Sequence, residues 1–269
     1  MMKNISLKLL LFFIGVSLIY SNSYSQITTK SKIETITIKT ITLPSKDGLL
    51  ITADYYKVEP SKNFALLCHQ AGFSRGEYRE TAPKLAYGGF SPQNYSGFSS
   101  LAIDQRSGNK VNGIINETAK RAKEKGLPTD YLDAKQDIEA AIDLAYAKNN
   151  NKPILLVGSS YSASLALLIG KNNNKVKAIA VFSPGEYLKG IDLANEIKDL
   201  NKPVFVTSAK DEIPSVKKLL RNVNPEFITL FEPKVSGFHG SKALWFSKEG
   251  HQEYWKAFNL WLTKHFTTH

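Results

Sequence analysis

The sequence predicts an α/β protein, a mostly parallel sheet of about eight strands opened by an antiparallel hairpin, with helices on both faces. Three observations predict it. Short, nearly continuous apolar runs recur along the chain, as strands covered on both faces require. Longer stretches with helical spacing separate them, as crossovers between parallel strands require. The first two strand-like stretches instead flank a tight turn, Asp47-Gly48, which joins antiparallel neighbours.

Taken in chain order, Lys3 and Lys8 flank or precede the apolar stretch Leu9 to Tyr20, which Ser21-Asn22-Ser23-Tyr24-Ser25 follows. This is the three-part layout of a secretory signal peptide over residues 1–25, with Ser23 and Ser25 as the small residues before cleavage at Gln26. The apolar stretch falls short of the ~20 residues of a membrane-spanning helix, so no stable membrane insertion is expected after cleavage. The mature chain is expected outside the cytoplasm, periplasmic or secreted. Residues 26–32 read as a flexible leader and 33–269 as a single domain.

Within that domain, Ile33 to Leu43 and Leu49 to Val58 are the hairpin strands. The apolar runs Phe64 to His69, Ser99 to Asp104, Ile154 to Ser159, Ile179 to Ser183, Val204 to Ala209 and Phe227 to Phe231 supply the rest of the sheet. Asp130 to Lys148 repeats Ala134, Ile138, Ala141, Ile142 and Ala145 at helical spacing. A second helix runs from Tyr161 to Ile169 and stops at Gly170, and a third from Gln252 to Phe266 carries an aromatic stripe through Trp255, Phe258 and Trp261. The polar stretch 106–129 is the longest without periodicity and is expected to drape over the sheet edge as a small lid.

Composition excludes several classes. With 42% apolar and 22% charged residues among 269, the chain is neither fibrous nor disordered. Lys plus Arg number 35 against 24 Asp plus Glu, but the basic residues are spread singly and the densest run, Lys120 to Lys125, is broken by Glu124. That distribution describes a solvated surface rather than a nucleic-acid footprint. Cys68 is the only cysteine and lies in an apolar strand, so it reads as an inert core residue rather than a nucleophile. GxGxxG, GxxxxGK[ST], HExxH and paired-cysteine patterns are missing, so neither a metal nor a nucleotide cofactor is expected.

Ligands on an open α/β sheet bind beyond the carboxyl ends of its strands. Gly158-Ser-Ser-Tyr-Ser162 follows Ile154 to Ser159 and opens a helix, which sets Ser160 on a sharp strand-to-helix turn. A serine hydroxyl needs a histidine base and an acid to orient it. Asp211 follows Val204 to Ala209, and His239 follows Phe227 to Val235, giving the chain order Ser160, Asp211, His239.

That order on a hairpin-opened sheet resembles the α/β-hydrolase superfamily over residues 33–266, and within it the compact bacterial serine hydrolases related to dienelactone hydrolase. Leu66-Leu-Cys-His-Gln-Ala-Gly72 carries the second part of the resemblance. It implies Ser160, Asp211 and His239 as catalytic residues and the backbone amides of Ala71 and Tyr161 as the oxyanion hole, with Glu186 as an alternative acid because some relatives place it there. His69 is expected to order that loop rather than act as base. The implied activity is hydrolysis of a small ester or acyl substrate, with an amidase, a peptidase or a catalytically inactive binding protein as alternatives on the same fold.

Overall fold

The turn at Asp47-Gly48 closes the expected hairpin. Gly48 takes φ +84°, which glycine adopts without strain, and β1 (Ile36–Pro44) pairs antiparallel with β2 (Leu50–Val58) from Ile36↔Val58 to Pro44↔Leu50. The computed structural model describes residues 36–59, 63–88 and 97–267. The expected signal peptide, the leader and the first residues of the first strand lie outside them.

From the hairpin the chain continues through β3 (Asn63–Cys68), α1 (Thr81–Ala86), β4 (Phe98–Ile103), β5 (Lys110–Val111), β6 (Ile114–Ile115), α2 (Glu117–Glu124), α3 (Lys135–Lys148) and β7 (Ile154–Ser159). It ends with α4 (Tyr161–Gly170), β8 (Val176–Phe182), α5 (Leu193–Glu196), β9 (Val204–Thr207), α6 (Ile213–Leu219), β10 (Ile228–Phe231) and α7 (His251–Phe266). Eight strands form one sheet in the order β1-β2-β4-β3-β7-β8-β9-β10. β2 is antiparallel to both neighbours, and every pair from β4 to β10 is parallel.

Burial follows this pairing. Every residue of β3, β4 and β7 is buried, whereas the edge strand β1 is mostly exposed. Alternate residues of the central strands face opposite layers. Leu66 and Leu156 pack with Ile138 and Ile142 of α3 and Leu165 of α4. Leu67, Leu155 and Val157 pack on the other side with Leu85 of α1 and Trp255 and Phe258 of α7. Helices therefore cover both faces, and the carboxyl edge is left to the loops.

The stretch 106–129 differs from the expected irregular lid. It carries β5, β6 and α2, and Asn116 caps α2 by accepting the Ala119 N–H at 2.7 Å. Its first residue, Arg106, is fully buried and paired with Asp137 at 2.7 Å and Asp47 at 2.8 Å, which ties the hairpin turn to α3. Arg75 bridges Asp54 of β2 and Asp104 beyond β4 at 3.0 and 2.7 Å. The sequence sets Arg75, Glu77 and Arg106 along the same edge, as pocket-lining residues or surface ion pairs; in the structure both arginines hold the framework together through ion pairs. Among the described residues, no helix is long and apolar enough to cross a membrane.

Candidate active site

Gly158, near the end of β7, lies where the strand-to-helix turn is tightest. A Cβ there would lie 2.4 Å from the Ser162 carbonyl oxygen and 2.6 Å from Ala163 Cα, so only glycine fits. Ser160 then takes φ +57°, a conformation that strains an L residue and is found where a side chain must be thrust out of the backbone path. Its N–H donates to the Phe182 carbonyl at the end of β8, 2.8 Å away, which pins the turn to the sheet. Ser162 has its own task in the turn. Its hydroxyl accepts the Ser159 N–H at 2.8 Å and donates to the Cys68 carbonyl at 2.7 Å, so it links the turn to β3. Cys68 is fully buried beneath it, and burial pushes the thiol up.

The loop after β10 brings His239 over this turn, with Nε2 2.8 Å from Ser160 Oγ. Its Nδ1 is hydrogen-bonded to Oε1 of Glu212, not to Asp211. The difference is one residue of a 3₁₀ turn, Lys210–Glu212, which directs Glu212 inward and leaves Asp211 exposed. Glu212 Oε2 accepts from Ser183 Oγ at 2.6 Å and from the Ala209 N–H at 3.1 Å. Burial opposes its charge, but the donors from His239, Ser183 and Ala209 outweigh burial and hold the carboxyl below its ordinary range. The alternative acid, Glu186, lies elsewhere and accepts the Leu193 and Ala194 N–H groups at 2.8 and 3.0 Å, at the start of α5.

His69 is fully buried in the loop after β3. Its Nε2 accepts the Gln105 N–H at 3.1 Å, so the ring proton sits on Nδ1 and donates to the Gln70 carbonyl at 2.8 Å. Burial holds its pKa down at about 4, so the ring is neutral and structural. The Gln70 carbonyl also accepts from the Phe73 N–H at 3.3 Å. In a planar trans peptide the Ala71 N–H points opposite to that carbonyl, away from the loop interior. Among the described residues, neither the Ala71 nor the Tyr161 N–H donates to a protein acceptor.

Aromatic side chains border Ser160. Tyr131 stacks on Tyr161 with ring centroids 4.4 Å apart, and the Tyr187 phenol lies near Ser160. A cavity of 570 Å³ reaches His239 along Ser236, Phe238 and Lys242. A second, of 490 Å³, lies behind Glu212 along Tyr187 and Arg221, and Asp211 borders both. Among the described residues, no three His, Cys, Asp or Glu side chains come together as a metal ligand set.

Two functional-looking residues escaped sequence reasoning. Glu212 was masked by the adjacent Asp211, and Ser183 is an ordinary strand-end serine, whereas Glu77, which the sequence places along the sheet edge, is buried under the turn. A pair of neighbouring carboxylates after β9 was the one visible hint of the first.

No protein-family model matches the chain, and no curated protein matches it in sequence. Solved structures do match. An esterase of Pyrococcus furiosus is 15% identical, covers 86% of this chain and 92% of its own, and superposes with a TM-score of 0.62. Dienelactone hydrolase from Anabaena variabilis is 13% identical over 86% of this chain and 99% of its own, with a TM-score of 0.65. A cold-adapted esterase from an Arctic intertidal metagenomic library is 17% identical over 88% and 98%, with a TM-score of 0.64. The chain has the α/β-hydrolase fold in its compact, dienelactone hydrolase-like form.

Proposed function

We propose that this chain is an exported serine hydrolase that cleaves carboxylic esters of small molecules through an acyl-enzyme intermediate. The observation that carries the reading is the unbroken line Ser160 Oγ, His239, Glu212, with Ser160 Oγ 2.8 Å from His239 Nε2 on a strained strand-to-helix turn. The esterases and the dienelactone hydrolase among the similar structures support ester hydrolysis by the same fold.

In this mechanism Ser160 Oγ attacks the ester carbonyl while His239 Nε2 takes its proton. Glu212 keeps the Nδ1 proton facing itself and stabilises the imidazolium that forms. The N–H groups of Ala71 and Tyr161 receive the negative charge that develops on the carbonyl oxygen. The imidazolium then protonates the departing alcohol, and water, deprotonated by His239, releases the acid and restores Ser160. Residues 1–25 direct export and are removed, so the mature chain starts at Gln26.

Fluorophosphonate labelling of the wild type beside Ser160→Ala tests the nucleophile, and p-nitrophenyl esters from acetate to laurate test the reaction. The expected result is labelling and turnover that both vanish in the variant. A folded wild type that neither labels nor turns over an ester, while binding ligands, would make the chain a hydrolase-fold binding protein instead. Mass measurement of the protein recovered outside the cytoplasm tests cleavage before Gln26.

A further inference from the structure

Glu77 is fully buried beside the strand-to-helix turn, and each of its carboxylate partners belongs to a different active-site segment. Oε2 accepts the Gln70 N–H at 2.7 Å, in the peptide just before the one that carries the Ala71 amide. Oε1 accepts from Ser159 Oγ at 2.7 Å, one residue before Ser160. Oε1 also accepts from Ser241 Oγ at 2.6 Å, two residues after His239. The Ser241 N–H in turn donates to Ser159 Oγ at 2.8 Å, so the nucleophile and histidine segments are joined directly as well as through the carboxylate. On the same residue, the backbone carbonyl of Glu77 accepts from Trp245 Nε1 at 2.8 Å, which fixes the end of the histidine loop.

Burying a carboxylate on neutral donors is costly, and burial pushes the Glu77 carboxyl up despite its three hydrogen bonds. Framework cohesion does not require it, because Arg106 and Arg75 with their aspartates already tie the hairpin, β4 and α3 together. What Glu77 adds is one carboxylate that accepts from all three loops at once.

We propose that Glu77 is a positioning residue that sets the oxyanion amide, the nucleophile and the histidine in their mutual geometry through Gln70, Ser159 and Ser241. The inference rests on the esterase reading, since it presumes that Ser160 and His239 react. Glu77 acts on turnover and not on substrate affinity, because the groups it holds are those that meet the transition state.

The test measures kcat and KM on the best p-nitrophenyl ester for the full chain and for Glu77→Ala, Glu77→Gln, Ser241→Ala and the double variant Glu77→Gln/Ser241→Ala. Fluorophosphonate titration counts competent sites, so folded fraction is separated from rate. Glu77→Ala is expected to lower kcat about 100-fold with KM nearly unchanged, as a misplacement of the reacting groups by about an ångström does. Glu77→Gln can still meet all three partners by rotating the two hydroxyls, and is expected to lose less. Ser241→Ala is expected to lower kcat in the wild-type background and again in the Glu77→Gln background, because the amide there still meets its hydroxyl. Wild-type kcat per titrated site in Glu77→Gln and Ser241→Ala, or losses confined to KM, would overturn the inference while leaving the esterase reading intact. A wild type without turnover or labelling overturns the esterase reading, and this inference with it.

Discussion

Ser183 and Glu212 are joined by a 2.6 Å hydrogen bond from the serine hydroxyl to the carboxylate, and the same hydroxyl accepts the Gly240 N–H at 2.9 Å. One side chain thus holds both Glu212 and the residue next to His239. Losing the Glu212 charge while keeping its shape leaves His239 free to adopt the wrong tautomer. Glu212→Gln is therefore expected to lower kcat by roughly 10³- to 10⁴-fold with little change in KM. Asp211→Asn, one residue away on the exposed side, is expected to leave kcat within about twofold. Steady-state kinetics on the two variants checks the assignment, and the reverse pattern would return the acid to Asp211.

The turn around Ser160 makes opposite demands on its two small neighbours. Gly158 has no room for a methyl, because the atoms in the way are backbone atoms of Ser162 and Ala163. Gly158→Ala is expected to destabilise the chain by about 1–3 kcal/mol and to reduce phosphonate labelling at the same time. Ser162→Gly fits sterically but deletes the links to Ser159 and Cys68, with an expected loss of about 1–2 kcal/mol. Denaturant melts of both variants measure these losses. A Gly158→Ala chain as stable as the wild type would contradict the packing described for the turn.

The sheet was legible because parallel strands covered on both faces must be apolar throughout, as Leu66, Leu67 and Ile154 to Val157 are. The helices α3 and α7 were legible because each buries a stripe at helical spacing, and α4 because its run of small and apolar residues stops at Gly170. The helices α1, α2 and α5 were not, since segments of 6, 8 and 4 residues offer too few turns for a period to stand out. Ser160 and His239 could be placed because a strand end has a definite position in the sheet. The choice between Asp211 and Glu212 could not, because it is made inside a 3₁₀ turn whose direction depends on Ser183 from another strand. The partners of Glu77 were illegible for a related reason: residues 70, 159 and 241 meet only in three dimensions.

The buried neutral ring of His69 makes a definite contribution to acid sensitivity. Its pKa is about 4 in the folded chain against an ordinary value of 6.5, so between these limits the unfolded chain binds the extra proton. Its stabilising contribution is complete above pH 6.5 and is lost as pH falls towards 4, by about 3 kcal/mol at most. Asp104 works against it. Burial raises that carboxyl to about 6, so the folded chain binds its proton first and gains stability as pH falls through the same window. The wild-type curve mixes the two. The stability difference between wild type and His69→Gln isolates the histidine, and it is expected to shrink as pH falls from neutral towards 4. A difference that stays constant with pH would show that the His69 ring is not held neutral.

Cys68 turns the same region into its own reporter. The thiol is fully buried at the end of β3, and its carbonyl accepts from Tyr78 Oη and Ser162 Oγ, both at 2.7 Å. Burial disfavours the thiolate, which is the form that reacts with disulfide reagents. Labelling by an aromatic disulfide is therefore expected only through openings that separate β3 from the turn after β7, at a rate set by the free energy of that opening. Removing the Ser162 hydroxyl weakens that seam, so Ser162→Gly is expected to label faster than wild type by roughly the factor its loss of 1–2 kcal/mol implies, about 5- to 30-fold. Equal rates in the two proteins would mean that Cys68 is exposed by a motion elsewhere, and prompt labelling of the native wild type would contradict its burial altogether.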